Sequence, residues 1–213
     1  MKLVLEMQDE ALKEEVASLI TRIDYPLRFN RISVEESCKV DFLKGDANED
    51  MIMMVNPQSE MAKNRQLFRG YFARFIFQLI NDKEGINAEI QENLNCPRVV
   101  PSIQNFFADY RAAKHGFLKP MKHFFIEKTA SKIYGNTPMT KKEFVEFYLH
   151  YIVLKKLKDF EEMGSLLMPV KPHGLDPLLA ELEKLDYPYK TGDRALVKIW
   201  NQLLEEKKPE EKK

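Results

Sequence analysis

The stretch Ala62–Asp82, AKNRQLFRGYFARFIFQLIND, restricts what this chain can fold into more than any other part of it. Phe68, Phe72, Phe75, Ile76 and Leu79 recur at helical spacing on one side, while Ala73, Phe77 and Ile80 fill much of the other. A helix that is apolar nearly all round belongs inside a fold rather than on its surface. The stretch is too short for a bilayer span and is interrupted by Arg65, Arg69 and Arg74. It reads as a central core helix, and Arg69 and Arg74 are cations that its burial must accommodate.

The rest of the chain can supply that core. Of 213 residues, 44% are apolar, enough for one large domain or two small ones. Lys plus Arg and Asp plus Glu both number 33, so whole-molecule charge announces neither a nucleic acid nor a membrane. Cys38 and Cys96 are the two cysteines and form no CxxC, which argues against a disulfide scaffold or a thiolate zinc site. The opening MKLVLEMQDEALKEE turns charged before a signal-peptide core could form, and no long apolar run follows. The expectation is a cytoplasmic protein without a membrane partner.

Asp9–Ile23 carries Leu12, Val16, Leu19 and Ile20 on one stripe, predicting an amphipathic helix capped by Asp9. Leu27–Val34 is predicted as a strand with a bulge, Cys38–Leu43 as a half-buried strand, Gly45–Asp50 as a turn, and Met51–Val55 as a buried strand. Cys38 and Cys96 are expected to be small buried hydrophobes, and Met51, Met53, Met54 and Met61 core filling. Helices are predicted around Ile86, Ile90 and Leu94, from a cap at Ser102 to Gly116, and from Pro120 to Gly135. Thr140 and Glu143 form a capping box for the next helix. Leu166–Gly174 reads as a surface tether, Asp176 as the cap of a short helix, and Asp193–Glu206 as a final helix. The predicted fold class is α+β, a small three-stranded sheet packed against a helical remainder. Residues 1–116 form the core, 117–164 a basic helical region of the same domain, 165–206 further helices, and 207–213 a disordered tail.

No phosphate loop, GxSxG elbow or HExxH is present, so no catalytic residue, cofactor site or metal site is assigned. His115, His123, His150 and His173 are scattered and read as ordinary surface or boundary residues. One charge asymmetry stands out. Arg111, Lys114, Lys119, Lys122, Lys128, Lys132, Lys141, Lys142, Lys155 and Lys156 outweigh the acidic residues around them, with Phe117, Phe124, Phe125, Tyr134, Tyr148 and Tyr151 interleaved. Clustered lysines give sequence-independent affinity for phosphates, and aromatic rings stack on unpaired bases. The alternative is that the aromatics are core and the lysines only solubilise the helices.

The order of elements, with Pro101–Gly116 (PSIQNFFADYRAAKHG) supplying the late acidic residue Asp109, resembles a zincin-type metalloprotease core over roughly residues 7–116. The resemblance implies a helix bearing metal ligands, but the core helix has no HExxH, and Arg69, Gly70 and Ala73 stand where ligands and base would be. A cationic Arg69 would repel a metal, so the kinship implies a dead site. Arg69 is therefore expected to pair with Asp109, or else to snorkel to water. Arg74, about 140° further round the helix, is expected to reach a sheet edge, a carbonyl or solvent.

These features lead to a non-catalytic cytosolic module whose basic region contacts RNA or a ribonucleoprotein such as the ribosome. The alternatives are a protein-binding or self-associating adaptor, with a protein partner or as a homo-oligomer, and a hydrolase with an unrecognised site or a degenerate zincin-like protein.

Overall fold

The computed structural model describes residues 2–94, 99–135 and 138–185. Its α+β architecture rests on a mixed sheet of four strands, one more than expected, in the order β1-β2-β4-β3. The strands are β1 (Lys2–Glu6), β2 (Arg31–Glu36), β3 (Leu43–Ala47) and β4 (Met51–Val55). The additional strand is β1, which pairs parallel with β2 through the crossover helix α1 (Glu10–Thr21). Five residues with a charge at each end carry little apolar signal, so only pairing to β2 defines it.

The β3–β4 hairpin corrects three expectations. Cys38 is exposed and the segment around it is not a strand. Asn56 ties that segment down as a loop, its Nδ2 donating to the Val40 carbonyl at 2.9 Å and its N–H to the Phe42 carbonyl at 2.8 Å. Gly45 to Ala47 belongs to β3, because the antiparallel register sets Gly45 opposite Met53 and Ala47 opposite Met51 and leaves only Asn48–Asp50 to turn. A side chain at Gly45 would lie 2.6 Å from the Ile52 carbonyl, so glycine there serves close approach rather than a turn. β4 is also one-sided. Met51, Met53 and Val55 are buried while Ile52 is 48% exposed, since helices cover only one face of the sheet. The strand expected over Leu27–Val34 lies at Arg31–Glu36, where the parallel ladders on both sides fix it.

The core helix is present as α3 (Arg65–Lys83), preceded by a short α2 (Glu60–Lys63) and broken from it at Asn64. Asn64 Oδ1 accepts from the Leu67 N–H at 3.2 Å, so the break is itself a helix cap. No residue between Leu67 and Asn81 is fully exposed, as the all-round apolar pattern requires. Then follow α4 (Ile86–Leu94), α5 (Val100–Ala112), α6 (Leu118–Ile133), α7 (Lys141–Lys156), α8 (Glu161–Leu167) and α9 (Asp176–Leu182). Pro101 occupies the first turn of α5, so Ser102 lies inside that helix and does not cap it. Asp176 is likewise the first residue of α9 and not its cap, and the expected tether yields to α8 as far as Leu167. The Thr140–Glu143 capping box forms as predicted.

Between α5 and α6 the chain kinks at Gly116, whose φ of 107° suits glycine and whose Cα faces the Arg22 carbonyl too closely for a side chain. Buried apolar residues from Met7 to Leu185 join in one cluster around α3. Among the described residues, no helix is long and apolar enough to cross a membrane. Cys96, the helix expected over Asp193–Glu206 and the tail over 207–213 lie outside the described residues.

Candidate functional site

The densest concentration of buried charge lies where α3, α5 and α7 meet. Arg74 projects from α3 and donates through Nε and Nη2 to the two carboxylate oxygens of Asp109 on α5, both at 2.6 Å. This corrects the expected Arg69–Asp109 pair. Arg69 instead forks onto Glu15 of α1, at 2.6 and 3.0 Å. The reason lies at Gly70, where an added Cβ would fall 2.3 Å from Phe124 Cβ. The missing side chain admits α6 beside Gly70, and α5 meets α3 one turn later, at Arg74.

His150 completes the cluster, contrary to the expectation of ordinary surface or boundary histidines. Its ring is buried, stacked on Phe125 at 4.3 Å between centroids, and its Nε2 lies 2.9 Å from Arg74 Nη2. A guanidinium can only donate, so Nε2 accepts and Nδ1 carries the proton. That Nδ1 is buried and has no hydrogen-bond partner among the described residues. Burial first, then the charges of Arg74 and Lys128, hold His150 well below the usual imidazole range, so it is neutral. Burial pushes the Asp109 carboxyl up, and the Arg74 fork pulls against that shift. The Arg74 guanidinium also sits 4.8 Å over the Phe124 ring. The only sequence signal for His150 is its place in the apolar run of α7, YLHYIVL, where a polar residue on a buried face needs a partner.

Such an assembly holds one fixed cation, one carboxylate and one neutral imidazole, each aimed at another. Its chemical capacity is structural, because both carboxylate oxygens are already engaged by Arg74. Among the described residues, no group of three or more His, Cys, Asp or Glu is arranged to hold a metal ion.

The basic residues singled out in the sequence are spread over very different environments. Arg111 is wholly buried, donates to Asn81 and pairs with Glu84 at 2.8 Å, so it cannot meet an external partner. Its position on the inner face of α5, against Tyr25, overrides the charge count. Lys122 pairs with Asp159 at 2.6 Å, Lys132 with Glu143 at 2.8 Å, and Lys155 with Glu183 at 2.8 Å. Lys128 lies over Tyr71 and Phe124, and Lys114 over Tyr110. Lys119 and Lys142 are exposed, while Lys141 and Lys156 are half-buried. The aromatics Phe117, Phe124, Phe125, Tyr148 and Tyr151 are core, as the alternative reading held. Tyr134 is the exception at 79% exposed.

The Lys132–Glu143 pair ties the last turn of α6 to the first turn of α7, which puts Tyr134, Lys141 and Lys142 at one corner. An open groove of about 520 Å³ adjoins it, lined by Lys132, Ile133, Gly135, Pro138, Met139, Val170 and Pro172. No family model, curated protein or solved structure matches this chain.

Proposed function

We propose that the chain is a non-catalytic cytoplasmic binding module whose α6–α7 corner meets unpaired RNA or a ribonucleoprotein such as the ribosome. The observation that carries this reading is Tyr134, a residue 79% exposed at the corner to which the Lys132–Glu143 pair also brings Lys141 and Lys142. A ring presented to water next to lysines can stack on a base while the ammonium groups face phosphates. Stacking of this kind is worth about 1–3 kcal/mol per base. Fluorescence anisotropy with a labelled U-rich single-stranded RNA tests it. Tyr134→Ala should weaken binding by roughly 5- to 150-fold, and binding should fall steeply with salt. Affinity that ignores both changes would remove the reading.

A second reading is favoured by the apolar lining of the adjoining groove and by the exposure of Met168 and Val170, 36% and 37%. These suit a protein partner, and capture of that partner should survive nuclease and moderate salt.

A third reading is descent from a zincin-like hydrolase. What supports it is the meeting of α3 and α5 on a charged pair, the guanidinium of Arg74 against the carboxylate of Asp109. In that reading Arg74, and not Arg69, is the residue that closed the site.

A further inference from the structure

We infer that β1 is a homodimer edge, joining two copies of this chain antiparallel through Lys2–Glu6 into one continuous sheet. Among the described residues, the strand lies at the end of the order β1-β2-β4-β3 and pairs with β2 alone. Leu3, Val4 and Leu5 remain half-buried, whereas the residues opposite them, Ile32, Ser33 and Val34, are at most 1% exposed. The flank of this strand left unpaired among the described residues therefore combines open backbone N–H and C=O groups with partly exposed apolar side chains.

The backbone phase fits a second copy. The Lys2 N–H donates to the Asn30 carbonyl at 2.9 Å, so the peptide groups of Lys2, Val4 and Glu6 point toward β2. Those of Leu3 and Leu5 then point away, to the open edge, since alternate residues of a strand face opposite neighbours. An antiparallel copy with its two-fold axis at Val4 sets Leu3 against Leu5 of the other copy. That is a hydrogen-bonded pair in this phase, and symmetry gives a second. Val4 meets its own copy in the closer, non-hydrogen-bonded spacing.

The side chains choose the same register. KLVLE read against itself in reverse sets Lys2 opposite Glu6 at both ends, on the same outer face as Val4. Neither Lys2 nor Glu6 has an ion-pair partner among the described residues. A parallel copy would oppose lysine to lysine and glutamate to glutamate, which disfavours that arrangement. Charged ends on a short edge strand usually prevent pairing. Here their opposite signs make the edge selective for its own antiparallel copy. Nothing in this edge depends on the α6–α7 corner.

Sedimentation velocity from about 1 to about 200 µM, the range in which small interfaces exchange, tests it on the full chain. The expected result is a rise from the 25.0 kDa chain mass to twice that mass. Lys2→Glu and Glu6→Lys should each weaken association by roughly tenfold, because two attractive pairs become repulsive. The double reversal, Lys2→Glu with Glu6→Lys, should restore it. Thermal melts by circular dichroism check that each variant folds. Val4→Cys in a Cys38→Ser, Cys96→Ser background should form a disulfide-linked dimer on mild oxidation, whatever the charge variants do. A monomer throughout the series, or singles and double alike with no cross-link in the Val4→Cys variant, would overturn the inference.

Discussion

Arg74 and Asp109 form a bidentate pair across the α3–α5 junction, two parallel hydrogen bonds of 2.6 Å, with 11% and 1% of their side chains exposed. Fork-to-fork geometry fixes direction as well as charge, so the pair locks the rotation of α3 against α5. Removing one partner of a buried pair leaves the other charge uncompensated, at a cost of about 3–5 kcal/mol. Arg74→Met and Asp109→Asn should each lower unfolding stability by that order, with a coupling energy of about 1–3 kcal/mol in a double-mutant cycle. The cycle of Arg69→Met with Asp109→Asn should show no coupling. Urea denaturation measures both, and the opposite ranking would contradict this geometry.

His150 makes stability sensitive to mild acid. Its imidazole is held well below the ordinary range when folded, by burial first and then by Arg74 and Lys128. Below about pH 6.5 the unfolded chain takes up a proton at this position that the folded chain refuses. The stabilisation is thus complete above that pH and is lost as pH falls toward the folded value. The charged groups facing the ring are Arg74 from α3, Asp109 from α5 and Lys128 from α6. The slope from one such group is at most about 1.4 kcal/mol per pH unit. His150→Gln should flatten the decline of the urea midpoint between about pH 6.5 and 5.

Gly70→Ala should reverse the usual helix rule. In an open helix the change stabilises by about 1 kcal/mol. In α3 the new Cβ would lie 2.3 Å from Phe124 Cβ and 3.2 Å from the Pro120 carbonyl. Overpacking of this kind costs about 1–3 kcal/mol, and α6 must shift to relieve it. A thermal melt that rises would mean that α6 is not held against Gly70.

Thr140→Ala should cost about 1 kcal/mol by removing the cap of α7. Thr140 Oγ1 accepts from the Glu143 N–H at 3.2 Å, and the Glu143 carboxylate accepts from the Thr140 N–H at 2.8 Å. Lys132, then the Thr140 backbone, lower the Glu143 carboxyl to about 2. Because that value is depressed on folding, its stabilisation is present above about pH 4.5 and lost as pH falls toward 2. The Thr140→Ala deficit should therefore shrink in strong acid, which chemical denaturation at two pH values would read.

Several features were legible in the chain alone because their causes are local. The all-round apolar period of α3, the stripe of Leu12, Val16, Leu19 and Ile20, and the Thr140–Glu143 box each rest on residues within a few turns of one another. The α+β class follows from the same periodicities. The site was half legible: Asp109 and the arginines of α3 stood out as charges in apolar surroundings, but their pairing did not. Which arginine meets Asp109 depends on the helix that approaches Gly70, through a contact with the distant Phe124. Arg111 and His150 became buried partners, and Lys2–Glu6 became a strand, through neighbours that are also remote in sequence. Periodicity says which face of an element is turned inward. Only the packed fold determines what that face meets, because side-chain reach and backbone approach are set by every element at once.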